Sequence, residues 1–337
     1  MYSLKNDYSE GAHPRILEAL VKTNMEQTVG YGLDEYSEEA KALIKNLVGN
    51  TNAEVHFLVG GTQTNQTAIG AFLKPYEAAI AAETGHINVH ETGAIEALGH
   101  KIVTAKTKDG KLTPALVEEV LNIHTDEHMV RPKLVYISNS TEVGTIYNKE
   151  ELTALFNYCQ ANDLYLYMDG ARLGAAIASG ITNLTLVDIA TLTDAFYIGG
   201  TKNGALFGEA LVILRDELKK DFRYMIKRQG GMFAKGRLLG IQFMELLKDG
   251  LYFELAEHAV KMSMKIKEGM QEKGYEFAYD SYTNMQFPIM TNKDLARLEK
   301  NFRFEFIEKS GEDKSVIRLV TSFATTKEGV EEFLKSL

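Results

Sequence analysis

Leu164-Tyr165-Leu166-Tyr167-Met168-Asp169-Gly170-Ala171-Arg172, followed by Ala195-Phe196-Tyr197-Ile198-Gly199-Gly200-Thr201-Lys202-Asn203-Gly204, is the stretch that decides the fold. Each half opens on a short aliphatic and aromatic run and closes on a polar residue set among glycines. Runs of four or five such residues, bounded by Asp or Gly, read as strands buried on both faces. Five further runs of the same kind lie at 55–59, 78–82, 101–104, 134–137 and 210–214. Between them lie amphipathic stretches. One is 37–48, with Ala40, Leu43, Ile44, Leu47 and Val48 on one face. Another opens at Thr113-Pro114, with Thr as cap and Pro in the first turn. Strands alternating with helices predict an α/β fold, a large, mostly parallel seven-stranded sheet with helices on both faces.

After Arg215 the rhythm changes. Residues 216 to about 270 are helical in pattern, broken only at Gly230-Gly231, Gly236 and Asp249-Gly250. From 275 onward, short strands are expected at 277–279, 285–290, 303–307 and 316–320, with helices near 293–300 and 327–336. That is a small C-terminal α+β unit with an antiparallel sheet. The expected division is 1–245 and 246–337.

A chain of 337 residues exceeds one ordinary domain of about 150. Its 45% hydrophobic and 25% charged residues match an ordinary globular composition. The formal net charge of −9, with no Lys/Arg run, argues against a nucleic-acid partner. No stretch approaches the ~20 apolar residues of a membrane span. The opening Met1 to Asp7 lacks the apolar stretch of a secretory signal, so a cytoplasmic place is expected. Cys159 is the one cysteine. It reads as a small core residue of an amphipathic helix, unable to build a disulfide within its chain or a thiolate metal cluster. No metal site is expected.

Ligands of open α/β sheets bind beyond the carboxyl ends of the strands. Four such ends carry polar residues here. The run ending at Val59 leads into Gly60-Gly61-Thr62-Gln63-Thr64-Asn65 and a helix, where free N–H groups and threonine hydroxyls would hold an anion. A plain glycine turn with a threonine cap reads equally well there, since no standard nucleotide fingerprint is present. His86, past the run at 78–82, either stacks on a flat ligand, moves a proton, or is only a polar surface residue. Asp169 at a buried strand end needs a cation or a protonated nitrogen, and Arg172 offers one structural partner. Lys202, inside a glycine-rich turn, is placed for partial desolvation, which lowers an amine's pKa and makes it a nucleophile toward carbonyls. Together these four ends match pyridoxal phosphate, which needs an anion cup, a lysine for its aldehyde and an acid at its pyridine nitrogen.

The motifs Asp169-Gly170-Ala171-Arg172 and Gly199-Gly200-Thr201-Lys202-Asn203-Gly204 resemble the low-specificity L-threonine aldolases of the β-eliminating-lyase group, fold-type-I enzymes dependent on pyridoxal 5'-phosphate. Lys5-Asn6-Asp7-Tyr8-Ser9-Glu10-Gly11, Tyr31-Gly32-Leu33-Asp34, Gly85-His86-Ile87-Asn88-Val89 and Ile317-Arg318-Leu319-Val320-Thr321-Ser322 agree, in order, over almost the whole chain. The resemblance implies a catalytic set of Lys202, His86 and Asp169. It implies cofactor contacts from Gly61, Thr62, Gln63, His86, Asp169, Arg172, Thr201, Lys202 and, from a neighbouring subunit, Lys235. It implies a substrate carboxylate held by Arg172, Arg318 and Asn6, with Tyr31 entering from the partner chain and residues 1–13 contributing to the site. It implies a homodimer or homotetramer with shared active sites.

The implied reaction is retro-aldol cleavage of L-threonine, L-allo-threonine and other β-hydroxy-α-amino acids to glycine and an aldehyde. The alternatives are another reaction on the same cofactor, β-elimination or racemisation, or a non-catalytic α/β protein that binds a phosphate ligand. Three positions depart from the family pattern. Asn6 stands where Ser is usual. Ser138-Asn139-Ser140-Thr141-Glu142 lacks the family's second histidine, and His90 replaces an Asp.

Overall fold

The computed structural model describes residues 1–337. The main sheet contains β1 (Glu54–Leu58), β2 (Glu77–Ala82), β3 (Ile102–Ala105), β4 (Arg131–Ser138), β5 (Tyr165–Asp169), β6 (Ala195–Gly199) and β7 (Glu209–Ile213). Their spatial order is β1-β7-β6-β5-β4-β2-β3. Every one of the seven apolar runs forms one of these strands. Only β7 runs against its neighbours, β1 and β6. The turn 200–208 that joins it to β6 is too short for the crossover a parallel return requires.

Alternation along the strands sends side chains into two cores. Ile80, Val135, Ile137, Leu166, Met168, Phe196 and Ile198 share one. Tyr136, Tyr167 and Tyr197, from three adjacent strands, share the other, with Leu58, Ala68 and Ile69. The helices begin where local chemistry allows. Asp34 caps Glu35–Leu47, Thr113 caps Pro114–Ile123, and Asn148 with Glu151 makes a capping box for Lys149–Ala161. Cys159, on the last of these, is fully buried, and burial pushes its thiol up to about 12.

The helix Leu251–Glu272 joins two apolar cores. Leu251, Tyr252 and Leu255 pack in the main one, whereas Met262, Ile266 and Met270 pack in a smaller one. The smaller core is covered by β8 (Glu276–Phe277), β9 (Met285–Gln286), β10 (Pro288–Thr291), β11 (Glu305–Lys309) and β12 (Lys314–Val320), all pairing antiparallel. Two expectations shift here. The strand expected at 285–290 is divided at Phe287, which is buried in its own apolar cluster. The one expected at 303–307 lies at Glu305–Lys309, because Phe302–Arg303 pairs in parallel with Tyr2–Ser3. That pairing, and the bond from Val320 N–H to the Leu4 carbonyl, bind the chain's first residues to the small unit.

The ends of β5 and β6 approach too closely for side chains. A Cβ on Gly170 would lie 1.8 Å from the Tyr197 carbonyl oxygen, and one on Gly199 would lie 2.5 Å from that of Ala171. We therefore expect Gly170→Ala to cost about 3 kcal/mol or more, by forcing two strand ends apart. Urea unfolding checks this; a loss under about 0.5 kcal/mol would show that the strands give way freely.

Candidate active site

A cleft of about 250 Å³ opens at the carboxyl ends of β5 and β6, lined by Gly60, Gly61, Thr62, His86, Asp169, Thr201, Lys202 and Glu209, among others. Three of its residues come from the ends of strands that the main sheet places side by side or one apart. The fourth wall is the start of the helix Gly61–Phe72.

Asp169 is 4% exposed. Burial pushes its carboxyl up, but the charge of His86 and hydrogen bonds from Tyr197, Tyr136 and Asn65 hold it below the ordinary carboxylate value. Tyr197 donates to Oδ1 at 2.5 Å, Tyr136 to Oδ2 at 2.7 Å and Asn65 Nδ2 to Oδ2 at 3.0 Å. The Ala171 N–H adds a fourth bond at 3.0 Å. Arg172 does not pair with Asp169, so the structural-pair alternative is set aside. The carboxylate stays ionised beside the cleft, as a partner for a protonated ring nitrogen must.

His86 heads a second network. Its Nδ1 lies 3.0 Å from Glu91 Oε1, which also accepts from Asn65 Nδ2 at 2.8 Å. Asn65 thus ties Glu91 to Asp169. Burial lowers the His86 pKa, yet Glu91 and the charge of Asp169 more than reverse this and raise it. The His86 N–H donates to Glu142 Oε1 at 3.0 Å, and Ser138 donates to the same oxygen at 2.7 Å. Burial pushes the Glu142 carboxyl up. His90 lies beside His86, ring centres 5.4 Å apart. Burial and then the charge of His86 lower its pKa.

Lys202 follows β6. Burial lowers its pKa, and the nearby charge of Arg172 adds to this, against Asp7, Asp169 and Glu209. Gly60 precedes the helix Gly61–Phe72 and no side chain caps it. The first N–H groups of that helix therefore lack intrahelical partners, and Gly60, Gly61 and Thr62 line the cleft. Of the loop's polar side chains, Thr62 lines the cleft. Thr64 instead donates to the Gly60 carbonyl. Gln63 accepts from Val59 N–H and donates to the Gln229 carbonyl, so its side chain is engaged away from the cleft and its N–H alone is left for it. Thr201 lines the cleft while its hydroxyl accepts from Gly208 N–H at 2.9 Å.

The expected carboxylate grip is arranged differently from its outline in the sequence. Arg172 already holds a carboxylate, that of Asp7, by Nε at 2.7 Å and Nη2 at 3.0 Å. Asn284 Nδ2 donates to the same Asp7 at 2.9 Å. Arg318 lies nearby with a buried Nε that has no hydrogen-bond partner. Burial and the charge of Arg172 lower its pKa. Asn6 spends its side-chain oxygen on Tyr8 N–H and the Ser9 hydroxyl, leaving its amide N–H₂. Tyr31 is 46% exposed and lies outside this cleft, its N–H donating to the Ala234 carbonyl. Lys235, next in sequence, is exposed on the same surface.

The donor set fits pyridoxal phosphate. It has an uncapped helix start for an anion, an ionised acid, an imidazole above the cleft, an amine of lowered pKa, and an orphaned guanidinium for a carboxylate. Asp7, Asn65, Glu91, Glu142 and Glu209 are the residues that sequence reasoning did not place in the site. Asp7 lies in the Lys5–Gly11 stretch, Asn65 in Gly60–Asn65 and Glu142 in Ser138–Glu142, whereas Glu91 and Glu209 carried no signal.

The family model for beta-eliminating lyases matches residues 4–293. The chain is 33% identical to a low specificity L-threonine aldolase of Pseudomonas sp. (strain NCIMB 10558), over 97% of this chain and 94% of that one. A solved structure of a Leishmania major threonine aldolase superposes with a TM-score of 0.99 at 49% identity, covering 99% of this chain and 98% of that one. A Thermus thermophilus aspartate aminotransferase variant shares the fold, with a TM-score of 0.74 at 16% identity, covering 100% of this chain and 90% of that one.

The Asp7–Arg172 pair yields a direct test. Its side chains are 0% and 13% exposed. We expect Asp7→Ala to cost about 3–5 kcal/mol, because it leaves a buried guanidinium without its counter-ion. Burial raises the Asp7 carboxyl and Arg172 overrides this, holding it below its ordinary 3.8. The pair's contribution is therefore intact above that value and fades as acid carries the pH below it. Urea unfolding of both proteins at descending pH should show the difference shrinking in acid; a constant difference rejects the ion-pair account.

Proposed function

This chain belongs to the beta-eliminating lyase family, and on that premise we propose that it is a pyridoxal-phosphate-dependent aldehyde-lyase. Its substrates are β-hydroxy-α-amino acids, L-threonine and L-allo-threonine among them, cleaved to glycine and an aldehyde. The observation that carries the reading is the convergence of Asp169, His86 and Lys202 on one cleft that also holds an uncapped helix start.

The cofactor, when bound, supplies an electron sink conjugated to the substrate's Cα. Lys202 would hold its aldehyde, Asp169 would pair with the protonated ring nitrogen and His86 would stack on the ring. Gly61, Thr62, Gln63 and Thr201 hold the phosphate through N–H groups and hydroxyls, helped by Lys235 of a second copy. Arg318 takes the substrate carboxylate on its unpartnered side. Arg172, with Nε and Nη2 committed to Asp7, has its remaining N–H groups to offer, and Asn6 has its amide. Fixing the carboxylate fixes which Cα bond is aligned for cleavage. His86 accepts the β-hydroxyl proton at its free ring nitrogen, since Glu91 occupies the other.

Self-association is part of the same reading, as a homodimer or homotetramer with shared sites. Val21, Met25, Val29 and Leu33 are all exposed, an apolar stretch beside Tyr31 that a second copy would cover. We take the units to divide at 245/246, with Leu251–Glu272 packed against both. We assign the chain to the cytoplasm, where an unpaired, buried thiol such as Cys159 stays reduced. No helix is long and apolar enough to cross a membrane.

With pyridoxal phosphate and L-threonine, the chain should release acetaldehyde and glycine in equal amounts. Lys202→Ala should lower that rate by at least about a hundredfold; a variant with undiminished turnover rejects the assignment. Glu91→Gln removes the group that raises the His86 pKa. The acid limb of kcat/KM should then move to lower pH, and an unmoved limb would show that His86 is not the base.

A further inference from the structure

Glu209 is the carboxyl at the cleft for which the reaction above has no use. It opens β7 opposite Gly199, and its Oε2 accepts from Gly200 N–H at 3.1 Å. It is 4% exposed, yet it lines the same cleft as Gly61, Thr62 and Thr201. Those three are among the residues assigned to the phosphate. An ionised carboxylate among them would oppose a phosphate dianion, and at reduced dielectric that repulsion is weakly screened.

Burial pushes the Glu209 carboxyl up to about 8, and Asp169 adds to the rise, while the Thr201 hydroxyl, the charge of Lys202 and the Gly200 N–H act against it. The other groups facing it are the phenols of Tyr167, Tyr197 and Tyr252, from β5, β6 and the helix Leu251–Glu272. Burial raises all three phenols, so they stay neutral across the range in which Glu209 titrates. Lys202 is the one cation from its own turn that acts on it, and that amine is needed for the cofactor's aldehyde.

We propose that Glu209 belongs to the phosphate cup, where as a neutral carboxylic acid it donates its O–H to the cofactor's phosphate. The inference rests on the cofactor assignment above. Binding of the phosphate then draws a proton onto Glu209 in alkaline solution, and ionisation of Glu209 weakens the cup.

The test uses the full chain freed of cofactor and pyridoxine 5'-phosphate, which has no aldehyde and forms no bond with Lys202. Its dissociation constant is measured for the wild-type chain and for Glu209→Gln across a pH series. The wild-type-to-variant ratio should grow about tenfold between about pH 7 and about pH 9. A ratio that stays flat overturns the role of Glu209 while leaving the cofactor assignment intact. No binding by the wild-type chain at about pH 7 removes both. Should the variant fail to fold, calorimetry of the wild-type chain in buffers of different ionisation heat decides. Most of one proton should be taken up per ligand at about pH 8.5, and no uptake overturns the proposal.

Discussion

Asp169 must remain ionised at a point where only the protein can solvate it. Its burial costs the charged form free energy, and the cost is offset by donors from three separate elements: Tyr136 on β4, Tyr197 on β6 and Asn65 on the helix after β1. None is near Asp169 in sequence. The sheet order that brings β4, β5 and β6 together is therefore a requirement for keeping that acid ionised beside the cleft. The close approach of Gly170 and Gly199 belongs to the same constraint, since a wider gap between the two strand ends would take Tyr197 away from the carboxylate.

A second set of charges links the two cores. Asp7 arrives on an N-terminal segment paired to the small unit, takes the fork of Arg172 from the large one, and receives a hydrogen bond from Asn284. The pair is neutral. Arg318 is left as the cation with an open buried donor.

The fold was largely legible in the chain. Seven apolar runs became seven strands, and Thr113-Pro114 and Gly60-Gly61 marked helix starts, because these features depend on neighbours within a few residues. Where the reading slipped, long-range pairing intervened. Residues 302–303 joined the N-terminal strand instead of extending their own, and Phe287 turned inward and divided a strand. Arg172 pairs with Asp7, far upstream, instead of with Asp169, the acid three residues away that the sequence offers it. Glu91 carried no local mark, since a carboxylate in a bend after a short helix reads as solvated until its surroundings are known.

The sequence by itself determined the strand set, the glycine turn that presents Lys202, the acid at the end of β5 and the helix that starts after Gly60-Gly61, all of which follow from side-chain pattern and backbone chemistry over short spans. Tertiary structure alone decided which charges are paired and which are open. It joined Asp7 to Arg172, left Arg318 Nε unpartnered, set Glu91 beside His86 and buried Glu209 at the cleft against Gly200. The reason is physical: an ionisable group's state depends on its solvation and on charges within a few ångströms, and those neighbours are supplied by distant parts of the chain.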